Sequence, residues 1–293
     1  MSVPDTHTSV NAMTATELVY NPYAFAIHDD PYETYRRLRD EAPAYWNPDL
    51  SFWVLSRFED VQNAFKDFDT FSSTGGVALE SRRRRDAGRM EFQQMIEMDP
   101  PDHTSFRKLV NRIFTGRRVA AMEDDIRNIF NGYLDQIVER GEADLVEEVT
   151  SPFPMDVISA FLDIPEGDRA QLRSYSDTIL IREDGKMELP QVAAEGMFAM
   201  LQYFIDDLPK RRKNPRNGII DDLLTLEVDG RSLTEEELLG FCILFVIAGH
   251  ETTTKMVANA IDLLSRHPDQ KRDLANNLDL APQAVEEVVR FHN

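Results

Sequence analysis

An apolar run of twelve residues, Leu238 to Gly249, continues into His250 and Glu251 without a turn signal, and it constrains the fold of this chain more than any other feature. Before the run, Thr234-Glu-Glu-Glu237 forms a capping box, in which a hydroxyl and a carboxylate satisfy backbone amides at a helix start. Proline does not recur until Pro268, so we predict one helix of about 30 residues, about 45 Å long. Its first half is apolar nearly all round and is therefore expected to be surrounded by protein.

The polar centre of this helix admits three interpretations. A zinc motif of the type His-Glu-x-x-His fails, because the second histidine would stand where Thr254 is. In a structural interpretation, the threonines bond back to carbonyls one turn earlier and Glu251 pairs with a cation, since a buried carboxylate is costly when unpaired. In a catalytic interpretation, Gly249 lets another group approach the backbone closely, Thr252 leaves the Ala248 carbonyl unpaired, and Glu251 supplies a proton beside a hydroxyl. The helix alone leaves the last two open.

Composition narrows the class of protein. The 293 residues carry a formal net charge of −20, which argues against nucleic acid or an anionic membrane as a general partner. The apolar run is well short of the roughly 20 residues that span a bilayer. The N-terminus has no basic segment followed by an apolar one, so no signal peptide is predicted. The one cysteine, Cys242, excludes an internal disulfide and a multi-cysteine metal site. A cytoplasmic protein without a membrane anchor is expected.

The chain is predicted to be mainly α-helical with a small β element. Two aromatic-rich strands around an Asn-Pro-Asp turn predict a hairpin in residues 44–55. Asp30-Pro31 begins a helix whose apolar positions Tyr32, Tyr35 and Leu38 share one face. Further helices are predicted near 59–68, 102–115, 117–140, 147–162, 166–181, 190–212, 219–226, 234–265, 268–276 and 281–292.

The domain organisation is predicted to be simple. Residues 1–20 are expected to be a flexible lead, and residues 21–293 to belong to one domain. Residues 72–98 form a long loop or broken helix, and loops of that length are usually functional or disordered. The arginine run at 82–85 is interpreted as a solvated surface, with partner docking as the alternative.

Three motifs resemble one family in the right order. Ala248-Gly-His-Glu-Thr-Thr253 closely resembles the central-helix signature of the haem-thiolate monooxygenases, the cytochrome P450 family. Met98-Asp-Pro-Pro-Asp-His-Thr-Ser-Phe-Arg107 is similar to the helix beside one haem face in the soluble bacterial members. Glu287-Val-Val-Arg290 is similar to a Glu-x-x-Arg motif that orients the haem-ligand region and is structural. Similar Glu-x-x-Arg sequences begin at Glu33, Glu80 and Glu166, so only position gives the last motif meaning.

The resemblance implies haem b (heme b), with its iron, as cofactor and assigns roles to residues. His103 and Arg107 would reach the two haem propionates, because two cationic side chains four residues apart lie on one helix face and suit paired carboxylates. Without the other motifs, the same two residues would be interpreted as an ordinary pair on a helix surface. Oxygen would bind in the groove at Ala248 and Gly249. Thr252 would stabilise reduced oxygen, and Glu251 would relay protons from solvent.

The same resemblance implies a substrate site and partners. Leu244 and Ile247 would form part of a substrate wall, with ordinary core as the equal alternative. The loop 72–98 and the stretch Leu180–Pro190 occupy the family's substrate-lid positions. One atom of O₂ would enter a mid-sized apolar molecule, with electrons from a ferredoxin and its reductase.

The chain also departs from the family pattern. The defining cysteine lies in a Phe-x-x-Gly-x-x-x-Cys loop well after the Glu-x-x-Arg helix, and no such loop is present in these residues. Cys242 lies ten residues before Thr252 in the apolar half of the helix and is expected to be a neutral core thiol. We therefore expect the cytochrome P450 fold with its C-terminal part missing, no iron ligand in this chain, and poor haem binding. The alternative from another class is an inert truncated product or a helical protein that binds apolar ligands.

Overall fold

The computed structural model describes residues 17–81, 94–216, 218–227 and 230–291. These residues divide into two compact units. Unit 1 combines the described residues up to Phe71 with Glu183–Met187, and unit 2 contains Ser72–Arg182 and the chain from Glu188 onwards. The arginine run at 82–85 and residues 1–16 of the predicted flexible lead lie outside the described residues.

Unit 1 is built on the hairpin, as predicted. Strand β1 (Ala44–Asn47) pairs antiparallel with β2 (Phe52–Leu55), with Ala44 opposite Leu55. The buried Asn47 side chain fixes the turn, because its oxygen accepts from the Leu50 amide at 2.8 Å and its nitrogen donates to the Tyr20 carbonyl at 2.8 Å. The turn therefore joins the hairpin to the chain segment that precedes the first helix.

Three short helices accompany the hairpin. They are α1 (Phe25–Asp29), α2 (Tyr32–Glu41) and α3 (Phe58–Lys66). The predicted apolar face of α2 is only partly correct: Leu38 is buried, whereas Tyr32 is 53% exposed. A tyrosine tolerates this position because its ring is amphipathic and its hydroxyl can remain in water.

The regular elements of the described part of unit 2 are mainly helices. Its helices are α4 (Asp102–Ile113), α5 (Gly116–Ala120), α6 (Glu123–Val138), α7 (Pro152–Leu162), α8 (Glu166–Ile179), α9 (Gln191–Lys213), α10 (Ile219–Thr225), α11 (Glu235–Arg266), α12 (Pro268–Asn276) and α13 (Ala281–Phe291). Single turns of 3₁₀-helix lie at Ser73–Gly75, Met95–Glu97 and Leu278–Leu280.

Two predicted helices have different bounds. The predicted helix 117–140 is divided into α5 and α6, because three consecutive acidic residues after Met122 favour a new helix N-terminus there. The helix predicted from residue 147 begins at Pro152, which has no backbone N–H to donate within a helix. Before it, Val146–Thr150 form a π-helical turn, in which the Ser151 amide bonds to the Val146 carbonyl at 2.9 Å.

The core of unit 2 surrounds the first half of α11. Phe241, Cys242, Ile243 and Val246 are all buried in one cluster that also includes residues of α4, α7, α8, α9 and α10. Phe114, at the end of α4, joins the cluster, with its ring centroid 5.1 Å from that of Phe245. The prediction that this half of the helix is surrounded by protein is confirmed in part: Leu244 and Phe245 are only partly buried, and Ala248 is exposed.

A buried ion cluster, which sequence analysis did not identify, joins α9 to the start of α10. Arg211 is 0% exposed, and its Nε lies 2.5 Å from a carboxylate oxygen of Asp207. Its Nη2 donates to the Asp163 carbonyl at 2.9 Å, and Nη1 lies 3.5 Å from Asp221. Asp221 also accepts from the Gly218 amide at 3.0 Å, so the same carboxylate caps α10.

Candidate functional site

The site predicted from sequence lies at the middle of α11, whose start is formed by the expected capping box. The Thr234 hydroxyl accepts from the Glu237 amide at 3.2 Å, and the Glu237 carboxylate accepts from the Thr234 amide at 2.9 Å. By length and composition alone α11 could cross a membrane. Phe241, Cys242 and Ile243 are instead buried against other helices of unit 2, as in a core helix.

The threonines of α11 bond back to the helix. The Thr252 hydroxyl donates to the Ala248 carbonyl at 2.7 Å, and the Thr254 hydroxyl donates to the His250 carbonyl at 3.0 Å. The predicted unpaired carbonyl at Ala248 is therefore wrong: the hydroxyl that was expected to leave it free is its partner. The helix also continues without interruption across these residues.

Glu251 has the cationic partner that the structural interpretation required. Its Oε1 lies 2.6 Å from Nζ of Lys255, one turn further along the helix. The Glu251 side chain is 29% exposed and that of Lys255 is 70% exposed, so the pair lies at the boundary between protein and solvent. A carboxylate in this position is accessible to water and can exchange protons with it. Glu251 is also the residue directly before Thr252 in the chain.

Gly249 packs against helix α7. A β-carbon built on Gly249 would lie 2.3 Å from Cδ1 and 2.7 Å from Cγ1 of Ile158. The predicted close approach to this glycine is therefore present, and the group that makes it is the Ile158 side chain. A role for its backbone beside a cofactor stays a prediction.

The other predicted residues of α11 lie in two different environments. Leu244, Ala248 and Thr252 follow one another at intervals of four and so share a face, on which Ala248 and Thr252 are exposed and Leu244 is half-buried. Ile247 packs against the buried core cluster of unit 2. Of the two predicted wall residues, Leu244 therefore keeps that interpretation, whereas the contacts of Ile247 favour core.

His250 is an anchor that sequence reasoning missed. The residue is 2% exposed, with Nδ1 3.2 Å from the Ser176 hydroxyl of α8 and Nε2 3.0 Å from the Ser151 carbonyl. Desolvation by burial lowers the pKa of His250, which favours the neutral ring. The available signal was that a polar residue directly follows an apolar run in a helix that is surrounded by protein.

His103 and Arg107 fit the propionate-binding role in chemistry. Both lie on α4, one turn apart, with His103 half-buried and Arg107 exposed. Within residues 17–81, 94–216, 218–227 and 230–291, neither side chain forms a hydrogen bond or ion pair, and none links them to residues 248–252. The charge of the Asp99 carboxylate interacts with His103. Arg107 pairs with no carboxylate of the described residues, and the two side chains together suit a ligand with two carboxylates, as haem b has.

Glu287 and Arg290 pair as predicted. Nε and Nη2 of Arg290 each donate to a carboxylate oxygen of Glu287 at 2.7 Å, and both side chains are exposed. The Arg290 hydrogen bonds hold the pKa of Glu287 below its usual range. Glu33 and Arg36 make the same bidentate pair at 2.9 and 2.6 Å, so this geometry alone does not distinguish the later motif.

An apolar groove lies between the second half of α11 and helices α12 and α13. Its volume is about 380 Å³. The lining is almost entirely apolar and includes Met256, Ala260, Leu264, Leu274, Val285 and Val288. Glu287 of the Glu-x-x-Arg motif also lines it.

Cys242 is fully buried in the core cluster, in agreement with the sequence analysis. Burial raises the pKa of its thiol far above the usual range, so that the thiol stays protonated. A metal ligand would have to be the thiolate. Cys242 therefore does not have the properties of an iron ligand.

Comparison with known proteins identifies the family of this chain. The family model for Cytochrome P450 matches residues 186–289, which include the Glu251–Thr252 pair. The chain is 39% identical over 276 residues to putative cytochrome P450 123 of Mycobacterium bovis, covering 94% of this chain and 68% of that protein. It is 36% identical over 265 residues to vitamin D(3) 25-hydroxylase of Pseudonocardia autotrophica, covering 89% and 64%.

The fold gives the same result. The structure matches cytochrome P450 PksS of the Bacillus subtilis bacillaene polyketide synthase with a TM-score of 0.81 and 26% identity, covering 94% of this chain and 69% of that one. Members of the family are haem-thiolate monooxygenases that use haem b. The described helices, the hairpin and the α11 motif thus have one explanation: the chain belongs to the cytochrome P450 family, in its bacterial type.

Proposed function

We propose that this chain supplies the oxygen-side half of a haem monooxygenase site, in which one atom of O₂ enters an apolar small molecule. The observation that carries the proposal is the exposed Ala248–Thr252 face of α11, beside the Glu251–Lys255 pair, on a helix whose preceding half is buried. Exposed small and polar residues after a buried apolar half suit a reaction surface better than a core contact.

The roles of the α11 residues follow from their hydrogen bonds. The Thr252 hydroxyl donates to Ala248 at rest and can turn its proton towards a bound ligand on the same exposed face. Glu251 is held by Lys255 at the solvent boundary, where it can take up a proton from water. We assign Thr252 as the hydroxyl that contacts the reacting oxygen and Glu251 as the group that delivers protons to that face.

Haem b, when bound with a thiolate ligand, supplies the electron density that favours O–O cleavage. His103 and Arg107 are the residues that would hold its two carboxylates by charge-assisted hydrogen bonds. Ala248 and the Gly249 backbone would line the ring on α11. Glu287 and Arg290 are proposed as structural, because their bidentate pair satisfies both side chains at an exposed position.

The substrate is proposed to be a mid-sized apolar molecule. Leu244 adds a half-buried apolar side chain to the Thr252 face. A relative that is 36% identical is named for its action on vitamin D(3), a molecule of this class. An apolar wall gives orientation by contact and excludes water from the reacting atoms.

The electron donor is proposed to be an acidic carrier such as a ferredoxin with its reductase. Residues 102–120 contain five Lys or Arg and one Asp, in a chain of net charge −20. Besides Arg107, which is assigned to haem, Lys108, Arg112 and Arg117 are exposed on this segment. A basic surface on an acidic protein favours an acidic partner. We place the protein in the cytoplasm, where such carriers act.

The 293 residues by themselves are proposed to lack the thiolate, and hence activity, because their single cysteine is buried and protonated. After addition of haem and reduction under carbon monoxide, we expect no absorption band of the thiolate type. A thiolate band in the wild type that is lost in Cys242→Ala would overturn the assignment of Cys242 to the core, because this cysteine is the single thiol of the 293 residues.

The role of Thr252 is tested in a version of the protein that carries the family's cysteine loop. Thr252→Ala should leave NADPH consumption but uncouple it from product, because protons then reach the oxygen without control. Thr254→Ala is the matched control, since it removes the same kind of hydroxyl-to-carbonyl bond two positions away. Full coupling in Thr252→Ala, or equal uncoupling in both variants, would contradict the role.

A second candidate function is non-enzymatic binding of an apolar ligand. The observation that favours it is the groove between α11, α12 and α13. Binding of an environment-sensitive apolar dye tests it: Ala260→Glu in the groove should abolish the signal if the ligand enters there. Leu244→Glu, on the Thr252 face, should leave dye binding in the groove unchanged.

A further inference from the structure

We propose that His250 is a positioning residue that ties the last turn of α8 to the centre of α11, directly before the Glu251–Thr252 pair. The consequence for catalysis rests on the proposed function. The tie itself rests on the contacts of His250 alone. It would hold the start of the stretch Leu180–Pro190 and the α11 site in one arrangement.

The hydrogen bonds of the His250 ring define its tautomer. The Ser151 carbonyl can only accept, so Nε2 carries the proton and donates to it at 3.0 Å. Nδ1 of the neutral ring is then an acceptor and takes the proton of the Ser176 hydroxyl at 3.2 Å. One side chain of α11 thus links α8 to the residue immediately before α7.

The two hydrogen bonds of the His250 ring are buried, so the loss of either partner is costly. His250 is 2% exposed and Ser176 is 0% exposed, so water cannot replace either partner when the other is removed. Asp177, next to Ser176, brings a carboxylate oxygen within 3.7 Å of Nδ1, but its side chain is 54% exposed. The neutral Ser176–His250 bond is therefore the buried link, and Asp177 lies on its solvent side.

The tie continues into the segment that follows α8. Nη1 of Arg182 donates to the Ile179 carbonyl at 3.0 Å and to the Ile181 carbonyl at 2.9 Å, which closes the end of the helix. Nη2 of the same guanidinium donates to Glu80 at 2.9 Å. Residues 176–182 are thereby fixed from His250 at one end and by Arg182 at the other.

A coupling between two elements is reciprocal in free energy. If His250 joins them, loosening α8 must also loosen α11 near Thr252, and the reverse. Amide hydrogen exchange of the 293-residue chain measures this at each helix and needs neither haem nor substrate. Failure of the monooxygenase proposal would leave this experiment unaffected, and failure here would leave the oxygenase assay unaffected.

Ser176→Ala removes only the hydroxyl partner. Loss of one buried hydrogen bond should speed exchange of amides 177–181 by about five- to tenfold. Amides 251–254 of α11 should speed up as well, whereas those of 241–246 stay as in the wild type. Ser174→Ala is the matched control, because Ser174 is exposed on the same helix.

Two substitutions of His250 distinguish the roles of its two ring nitrogens. His250→Asn places an amide near the position of Nδ1 and should retain most protection of 177–181. His250→Gln places its amide near Nε2 and should lose that protection as Ser176→Ala does. The proposal is overturned if Ser176→Ala changes α8 without changing 251–254, if Ser174→Ala has the same effect, or if Asn and Gln are equivalent.

Discussion

The α-carbon of Gly249 faces Ile158 of helix α7 so closely that an added β-carbon would lie 2.3 Å from Cδ1 of the isoleucine. The glycine in the motif that resembles an oxygen-binding signature thus also sets the separation of two core helices. Helices α7 and α11 depend on this contact because core packing leaves little room for an extra methyl group.

Gly249→Ala should therefore destabilise the chain by about 1–3 kcal/mol, measured as the free energy of unfolding in urea. Ile158→Val removes the Cδ1 atom and should recover part of this loss in the double variant. Gly132→Ala on α6 is the control, since no atom lies within 4 Å of its added β-carbon. A stability loss at Gly132 equal to that at Gly249 would contradict a packing cause.

Arg211→Met should destabilise the chain by about 3–5 kcal/mol, because it leaves Asp221 buried without its cation and leaves Asp207 with Arg216 as its only cationic partner among the described residues. Urea unfolding measures the effect. Arg212→Met is the neighbouring control: its pair with Glu235 is exposed at both ends and should change stability by less than about 0.5 kcal/mol. A loss of stability in Arg211→Met as small as that in Arg212→Met would contradict the importance of the buried cluster.

The stability of the chain should fall as pH drops below about 6.5, the pKa of an unperturbed histidine. Burial lowers the pKa of folded His250, so the unfolded chain binds the proton first and is favoured as pH falls towards the folded pKa. The charged groups that act on this ring are Asp177 and Arg173 of α8 and Glu251 of α11, with Glu147 acting on Asp177.

Urea midpoints at several values between pH 8 and pH 5 measure this dependence. His250→Gln cannot be protonated, so its stability should change less over the same range. Asp177 opposes the trend, since burial raises its pKa and its protonation on acidification favours the folded state. A pH dependence identical in wild type and His250→Gln would refute the assignment to His250.

Cys242 should not react with a thiol reagent in the folded chain. Its side chain is fully buried, so the reagent cannot reach the sulfur. Burial also raises the pKa of the thiol, so the reactive thiolate does not form. Labelling at pH 8 should proceed only at the rate of unfolding and should reach one thiol per chain in urea. Fast labelling without urea would show that the α11 core is open.

The sequence by itself determined the local features. The capping box, the apolar run and the absence of proline were enough for the start and length of α11, because helix formation depends on neighbours three or four residues away. The hairpin was predictable because its two strands are joined by a short turn and therefore also lie close together in the chain. The motifs at residues 98–107, 248–253 and 287–290 together indicated the family, since the residues of each motif lie close together in the chain.

Only the tertiary structure decided which partners the polar residues have. Ser151 and Ser176 lie 99 and 74 residues from His250 in the chain, and Ile158 meets Gly249 from another helix. Arg211 reads as one base in a basic helix end, yet folding buries it among carboxylates. Such contacts follow from how helices pack, and periodicity along one helix does not specify which residue of another helix will face it.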